Sequence, residues 1–267
     1  MTTVQDILNF IETIAPPYMK YEWDRVGLNC GRADAPVTKI LVALDAFAEA
    51  VQEAKDVGAQ LLVTHHALIW DGGFVNDQTE WGKNVLTLLE NGIAHINAHT
   101  NWDCALGGIN DVLAETLGLT DISVVNPKGE DGEGRAYGLL RIGNVPTQSM
   151  QDFLATVKTA LGCDGLRYVN ANVPVQRVAV GGGSCGDELW EAYQAGCDTF
   201  VTADIKYNQF RTAHEFGINL IDAGHFPTED VVCKEVISYL IARFPELSVE
   251  KSTSHKEVIQ YYVEGDL

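Results

Sequence analysis

The feature that most constrains the fold is a regular alternation of short apolar segments with amphipathic ones. The apolar runs KILVALD (39–45), AQLLVTHH (59–66) and IAHINAHT (93–100) are typical of buried strands, and the segments between them carry a helical periodicity. A β-α-β-α-β order with apolar strands predicts a parallel sheet covered by helices. A second alternation begins at RAYGLLRIGNV and includes VQRVAVGGGS (175–184). The sequence therefore predicts an α/β fold of two similar lobes, each with a mostly parallel sheet flanked by helices.

The two alternating regions also resemble each other. Residues 39–66, moved along the chain by 138 positions, fall on 177–204 without a gap, and GIAHINA (92–98) matches GINLIDA (217–223). Two interpretations stay open. Any two βαβ units share glycines at helix ends and Val or Ile in strands, whereas a duplicated lobe would produce the same match.

The polar, glycine-rich stretch DISVVNPKGEDGEGRAY (121–137) is the best candidate for a linker. We therefore place the lobes at residues 1–125 and 126–267, with a C-terminal segment able to pack back on the first lobe. The segment PTQSMQDFLATVKTALG is expected to be a helix with Pro146 near its start. The tail, 247–267, is expected to form one or two strands.

The charge balance bears on the kind of partner. The chain has 18 Lys and Arg against 37 Asp and Glu, a net charge of −19 at pH 7. Because contact with a phosphate backbone requires Lys and Arg, this balance disfavours a nucleic-acid partner. No apolar run approaches the ~18 residues of a membrane span, and the N-terminus lacks the basic head of a signal peptide. The six cysteines show no CxxC spacing, so we expect reduced thiols and a cytoplasmic protein without membrane contact.

Polar residues follow two of the predicted strands in the first lobe. His65 and His66 end one strand, where the chain turns and both imidazoles can reach one open site. His99 ends the next strand, and Asp103 follows in the loop before a helix. Asp103 is either a metal ligand or the N-cap of that helix. His99 is either a ligand or a residue that orients one.

A third polar cluster, GHFPTE, follows a strand in the second lobe. His225 precedes a helical turn and Glu229 lies in it, so their i, i+4 spacing brings them to one side. Glu229 is also favourable near a helix N-terminus for the dipole alone. Imidazole and carboxylate ligands suit Zn, Fe, Mn, Ni or Co. If His99 only orients a ligand, three histidines and two carboxylates are available. They exceed the needs of one catalytic zinc, whereas two metals ~3.5–4 Å apart that share a carboxylate would use them all.

The motifs WDRVGLNCG, THH, AHTNWD, TADIKYN and GHFPTE, in this order, resemble those of the YbgI-like (Nif3-like) dinuclear-metal family. Its members are often named GTP cyclohydrolase 1 type 2 homologues, and the resemblance covers the chain from the first helix to the tail. It implies two metals in a cleft between two α/β lobes, and a toroidal homohexamer whose metal sites face an inner cavity. The metal ligands that it implies are His65, His66, Asp103, His225 and Glu229, with Glu229 as the bridge. Some members carry an inserted mid-chain domain, for which 121–175 leaves little room here.

Two further motifs carry candidate residues for binding or catalysis. The run GGGS with Cys185 departs from the Gly-Gly-Ser-Gly pattern more usual in the family, and it is either an anion-binding turn or a plain turn. Asp204, Lys206 and Tyr207 of TADIKYN are candidates to orient metal ligands, bind an anion or move a proton, as is His99. Lys206 and Tyr207 have the alternative of a plain helix surface.

Two classes of function follow from these residues. The first is a hydrolase that depends on two divalent transition metals, with a nucleotide or phosphorylated small molecule as substrate. The family name implies hydrolytic opening of the GTP imidazole ring. The sequence does not single out that substrate, because it contains no P-loop and no evident guanine-reading motif, and phosphoester hydrolysis stays open as well. The alternative is a protein that stores or delivers metal, or a regulatory scaffold, without catalysis.

Overall fold

The computed structural model describes residues 1–70 and 72–262. The strands are, in chain order, β1 (Gly27–Cys30), β2 (Lys39–Ala43), β3 (Leu61–Thr64), β4 (Ala94–Asn97), β5 (Thr120–Val125), β6 (Gly129–Glu130), β7 (Ala136–Tyr137), β8 (Leu140–Gln148), β9 (Arg167–Val169), β10 (Val175–Val180), β11 (Thr199–Thr202), β12 (Asn219–Asp222) and β13 (Ser248–Lys251). The α-helices are α1 (Val4–Ile14), α2 (Ala48–Asp56), α3 (Glu80–Glu90), α4 (Thr100–Cys104), α5 (Ile109–Thr116), α6 (Met150–Leu161), α7 (Leu189–Gln194), α8 (Tyr207–Phe216), α9 (His225–Glu229) and α10 (Val232–Arg243). This alternation of strands and helices confirms the predicted α/β class.

The chain forms two compact units, which are described separately. Unit 1 contains Met1–Gly108 and Val232–Lys256, and unit 2 contains Ile109–Val231 and the residues from Glu257 on. Strand β5, which precedes the predicted boundary at residue 125, therefore belongs to unit 2. Helix α10 and strand β13, which follow that boundary, belong to unit 1. Residues 263–267 of the predicted second lobe lie outside the described part of the chain.

Unit 1 is built on a five-stranded sheet in the order β1-β4-β3-β2-β13. Only the β1–β4 pairing is antiparallel within this sheet, so it is mostly parallel, as the apolar strands predict. On one face, Leu41 and Leu62 pack against Val51 of α2 and Leu88 of α3. Helix α10 packs against β2 and β13. Burial on both sides explains why these strands are apolar without alternation.

Unit 2 is built on a six-stranded sheet in the order β5-β8-β10-β11-β12-β9. Only β10, β11 and β12 run parallel to one another, and the other three pairings are antiparallel. The prediction of a mostly parallel sheet was therefore wrong for this unit. Val178 and Val180 pack with Phe153 of α6, whereas Ala179 and Phe200 belong to the cluster on the opposite face. Helices thus flank this sheet on both faces.

The predicted linker 121–137 contains regular structure. Strand β5 pairs with β8, and β6 pairs with β7 in a hairpin. The polar composition reflects strands at the edge of the fold, because most β5 side chains are exposed or half-buried. Pro146 lies within β8, and α6 begins after Ser149, whose side chain accepts a hydrogen bond from the Asp152 N–H. The expected helix start at Pro146 was therefore wrong by about one turn.

The candidate site residues follow the carboxyl ends of parallel strands in each unit. In unit 1, β3 ends just before His65 and β4 ends two residues before His99. In unit 2, β11 ends two residues before Asp204, and β12 ends three residues before His225. Ligands of open parallel sheets bind at this edge. Among the described residues, no helix has the length and apolar character needed to span a membrane.

Candidate metal centre

Unit 1 gathers three histidines from the ends of two neighbouring strands. The ring centres of His65 and His66 lie 4.8 Å apart, as do those of His65 and His99, and those of His66 and His99 lie 5.3 Å apart. One ring nitrogen of each histidine lies within 4.8 Å of those of the other two. His99, whose role the sequence left open, therefore shares one small volume with His65 and His66.

Each of these imidazoles is held through its Nδ1 atom by an oxygen acceptor. The pairs are His65 with the carbonyl of Ala98 at 2.9 Å, His66 with Asp45 Oδ1 at 2.6 Å and His99 with Asp24 Oδ1 at 2.9 Å. Carbonyl and carboxylate oxygens only accept hydrogen bonds, so Nδ1 must carry the proton in all three rings. Nε2 is then the nitrogen that can bind a metal ion.

The carboxylates behind this histidine cluster are held in the ionised form. Burial raises the pKa of Asp45, but hydrogen bonds from His255 and His66 outweigh burial and hold the pKa well below its usual range. Burial also raises the pKa of Asp24, and bonds from His99 and Thr100 outweigh it in the same way. Both side chains therefore stay negative at neutral pH and fix the orientation of the imidazoles.

Asp103 lies beside the histidines on α4. Its Oδ1 is 3.6 Å from Nε2 of His65, and both side chains are buried. Asp103 lies within α4, whose N-cap is His99, and not in a loop as expected. It precedes the first residue of α5, Ile109, by six positions, so it does not cap that helix either. Two donor atoms that each lie ~2.1 Å from one metal ion are about 3–4 Å apart. The His65–Asp103 distance is therefore suitable for two ligands of one ion.

Unit 2 carries the other predicted pair of ligands on α9. Nε2 of His225 lies 3.0 Å from Oε2 of Glu229, and the carboxylate is buried. Gly224, with a φ of +85°, precedes the helix and lets the chain turn from β12 into α9. Nδ1 of His225 donates to Asp204 Oδ2 at 2.7 Å. His225 is thus held through Nδ1 by a carboxylate, in the same way as His66 in unit 1.

A glycine leaves the space in which the Glu229 carboxylate lies. Gly183 has a φ of +63°, and a Cβ at this position would lie 2.0 Å from Glu229 Oε1 and 3.2 Å from Cε1 of His225. No side chain larger than hydrogen fits without moving that carboxylate. The glycine run after β10 therefore shapes the position of Glu229.

The N–H groups of the same run are largely bound within the protein. Three of these groups are already bound by side-chain oxygens within unit 2. The pairs are Gly182 with Asn110 Oδ1 at 2.7 Å, Gly183 with Thr228 Oγ1 at 3.0 Å and Cys185 with Thr202 Oγ1 at 3.1 Å. Of the two alternatives left open by the sequence, the anion-binding turn is not supported at these three positions.

The remaining candidates of the TADIKYN motif lie at the surface. Asp204 has a φ of +54°, which is uncommon for a residue other than glycine and often accompanies functional sites. Lys206 precedes α8 and Tyr207 begins it, and both side chains are exposed. They can therefore meet a molecule that arrives from solution, whereas Asp204 acts on His225 directly.

Sequence reasoning missed three residues that support the histidines. Asp24 and Asp45 hold His99 and His66, and His255 in turn donates to Asp45. Asp45 could have been identified from the sequence as a candidate site residue, because it follows an apolar strand in the same way as the predicted ligands. Asp24 lies in the WDRVGLNCG motif but had no assigned role. His255 is 210 positions from Asp45, and no local pattern points to that contact.

The donor atoms in both units fit divalent transition metals. Imidazole nitrogen and carboxylate oxygen are ligands of Zn, Fe, Mn, Ni and Co, and no described cysteine is part of these groups. Histidines that bind metals in proteins commonly donate their other N–H to a carboxylate or carbonyl, as His65, His66 and His225 do here. Fold and donor set together define an α/β protein with residues suited to binding metal.

Comparison with known proteins identifies the family. The chain matches the family described as Duf34/NIF3 (NGG1p interacting factor 3) over residues 2–257, and it belongs to that family. It is 35% identical over 229 residues to a Clostridium perfringens protein named "GTP cyclohydrolase 1 type 2 homolog", covering 85% of this chain and 86% of the relative. These findings confirm the resemblance inferred from the motifs.

Solved structures agree with the fold. A Staphylococcus aureus crystal structure superposes with a TM-score of 0.90 at 27% identity, covering 98% of this chain and 99% of the other. A Bacillus cereus protein titled as related to NIF3 superposes with a TM-score of 0.91 at 24% identity and the same coverage. The second likeness supports the fold alone.

Proposed function

We propose that this protein is a hydrolase that depends on two divalent transition metal ions per chain. The ligands are His65, His66, Asp103, His225 and Glu229, with Glu229 shared by both ions. The proposal depends chiefly on one observation: the ligand histidines are fixed through Nδ1 by oxygen acceptors, which leaves Nε2 for a metal. When bound, such a metal pair polarises substrate oxygens and lowers the pKa of water, so that hydrolysis proceeds near neutral pH.

The neighbouring residues have supporting roles in this proposal. Asp45 and Asp204 hold His66 and His225 in the metal-binding tautomer. Lys206, exposed two residues after Asp204, binds an anionic group of the substrate, and Tyr207 is placed to move a proton. His99 contributes either a further ligand or a hydrogen-bond donor, since its ring lies beside His65 and His66.

The substrate class we propose is a nucleotide or another phosphorylated small molecule. Two exposed indole rings, Trp23 and Trp70, lie edge-on to His99 at 5.9 and 5.0 Å between ring centres, and offer apolar surface to a planar ring. The relatives' name points to GTP, whose imidazole ring would open by addition of water at C8 and loss of formate. Phosphoester hydrolysis is the other reaction within this class.

The test is turnover by protein reconstituted separately with Zn²⁺, Mn²⁺, Fe²⁺, Ni²⁺ and Co²⁺, supplied with GTP and a panel of phosphoesters. We expect hydrolysis with at least one metal, lost in His225→Ala and Glu229→Ala and kept in His214→Ala. His214 is a suitable control because it is an exposed histidine on α8. Metal-loaded protein that leaves every substrate untouched would contradict the hydrolase proposal and favour metal storage, delivery or a scaffold role.

We also propose that the protein is cytoplasmic and assembles as a toroidal homohexamer. The support is its family membership, and the net charge of −19 is typical of a soluble assembly. Mass measurement by light scattering tests the assembly. Six chains per particle are expected, and a monomer at micromolar concentration would contradict it.

A further inference from the structure

A hydrogen-bonded chain of four side chains runs from His66 to the surface of unit 1. Asp45 accepts from His66 through Oδ1 at 2.6 Å and from Nε2 of His255 through Oδ2 at 2.9 Å. Nδ1 of His255 lies 2.9 Å from Oε1 of Glu49, which is partly exposed on α2. Each carboxylate oxygen of Asp45 therefore accepts a hydrogen bond from a different imidazole, and the two bonds together fix the rotation of the carboxylate.

The charge of His255 follows from its two neighbours. Both ring nitrogens face carboxylate oxygens, which can only accept, so both nitrogens must donate. Burial lowers the pKa of His255, but the hydrogen bonds to Asp45 and Glu49 outweigh burial and raise it above the usual value. A cationic ring between two anions explains how Asp45 stays ionised although it is largely buried.

A second carboxylate holds the segment that carries His255. Glu53, one helical turn after Glu49 on α2, accepts hydrogen bonds from the three residues before His255. The donors are Ser252 Oγ at 2.5 Å, Thr253 N at 3.0 Å, Thr253 Oγ1 at 2.8 Å and Ser254 N at 3.0 Å. The Ser252 N–H also donates to the Val42 carbonyl at 2.7 Å, which continues the β13–β2 pairing.

Residues 252–254 are thus bound by hydrogen bonds both to α2, through Glu53, and to β2, through Val42. The segment follows β13, and the hydroxyl of Ser252 also accepts from the His255 N–H at 3.1 Å. Ser252 and His255 are both buried. These hydrogen bonds hold the segment in the position that brings the His255 ring to Asp45.

We propose that His255 is a positioning residue: it fixes the Asp45 carboxylate, which in turn holds His66 in the tautomer and orientation that bind metal. The inference rests on the proposed metal centre, since it assigns His255 to one of its ligands. Residues that orient metal ligands in this way change metal affinity without touching the ion.

The first readout needs no metal. In metal-free protein labelled with ¹⁵N-histidine, NMR reports which nitrogen of His66 carries the proton. We expect the Nδ1–H form in the wild type and a mixture of tautomers in His255→Ala. His255→Gln keeps one N–H donor for Asp45, so it should restore most of the Nδ1–H form, and it replaces His255→Ala if that variant does not fold.

The second readout is the affinity for Co²⁺, followed by its visible absorption. We expect His255→Ala to bind Co²⁺ about 10–100-fold more weakly and His255→Gln to lie between it and the wild type. His214→Ala is the matched control and should bind as the wild type does. An unchanged His66 tautomer together with affinity within about twofold would overturn the inference. A wild type that does not bind Co²⁺ would instead contradict the proposed metal centre, while the tautomer measurement would still test His255.

Discussion

At the scale of single residues, small changes decide whether the donor atoms can bind metal. Gly183 is the clearest example, because the carboxylate of Glu229 occupies the space that a Cβ at position 183 would need. A carboxylate oxygen is the far end of a flexible side chain, so it can move at little cost in stability. Moving it, however, would take Glu229 away from Nε2 of His225, with which it is expected to share a metal.

We predict that Gly183→Ala lowers the metal content per chain at least severalfold. At a φ of +63° the new side chain also costs about 1–2 kcal/mol of backbone strain. Gly217→Ala is the matched control, because Gly217 has a φ of +71° and open space where a Cβ would be. Both variants should lose similar stability, measured by urea unfolding, but only Gly183→Ala should lose metal. Equal metal content in the two variants would contradict the role given to Gly183.

His95, which is not one of the proposed ligands, permits a prediction about pH. It is fully buried on β4, and burial lowers its pKa to about 3. The unfolded chain binds this proton below about pH 6.5, whereas the folded protein does not. The stabilising contribution of the neutral His95 ring to the free energy of unfolding is therefore complete above about pH 6.5, and it is lost progressively as the pH falls towards 3.

Because of His95, we expect the free energy of unfolding to fall by roughly 2 kcal/mol between about pH 7 and about pH 5. His95→Gln should remove it, because the amide does not titrate and can still donate to Thr64 Oγ1, which lies 2.7 Å from Nε2 of His95. Urea unfolding of both proteins at the two pH values measures the difference. If the variant loses as much stability as the wild type, His95 is not the residue responsible.

At the scale of elements, local sequence signals set where helices begin. Thr3 caps α1, accepting from the Asp6 N–H at 3.2 Å, while the Asp6 carboxylate accepts from the Thr3 N–H at 2.9 Å. This reciprocal pair satisfies N–H groups that the first turn leaves unbonded. The T-x-x-D pattern of Thr3 and Asp6 is typical of a helix start, and α1 begins at Val4.

We predict that Thr3→Ala lowers the free energy of unfolding by about 1 kcal/mol, because the cap is lost. Thr13→Ala, an exposed substitution in the last turn of the same helix, should be close to neutral. Thermal or urea unfolding of the two variants measures the contrast, and metal content should not change in either. A Thr3→Ala variant as stable as Thr13→Ala would show that the cap contributes nothing.

Elements with strong local signals could be predicted, and those that depend on distant pairing could not. The apolar runs at β2, β3 and β4 and their polar ends were readable because parallel strands are buried on both faces. Strand β5 could not be predicted, because most of its side chains are exposed or half-buried and its strand conformation depends on pairing with β8. The antiparallel edges of the unit 2 sheet were missed for the same reason.

At the scale of the whole molecule, residues far apart in sequence support the candidate ligands. The C-terminal part of the chain returns to unit 1 through α10 and β13, and brings His255 to Asp45. The motifs indicated the candidate ligands because these residues follow strand ends. They could not indicate His255, because its role depends on a contact across 210 positions. The family relationship leaves the reaction open to experiment.

In the proposed metal centre, five donor side chains bind two metal ions. The most direct test is metal content per chain, measured by elemental mass spectrometry on untagged protein purified without chelator, with His225→Ala and Glu229→Ala prepared in parallel. We expect about two transition metal ions per chain in the wild type, because five ligands with one shared carboxylate suit a pair, and clearly fewer in both variants. A wild-type value near zero that reconstitution does not raise, or equal metal in all three proteins, would contradict this proposal.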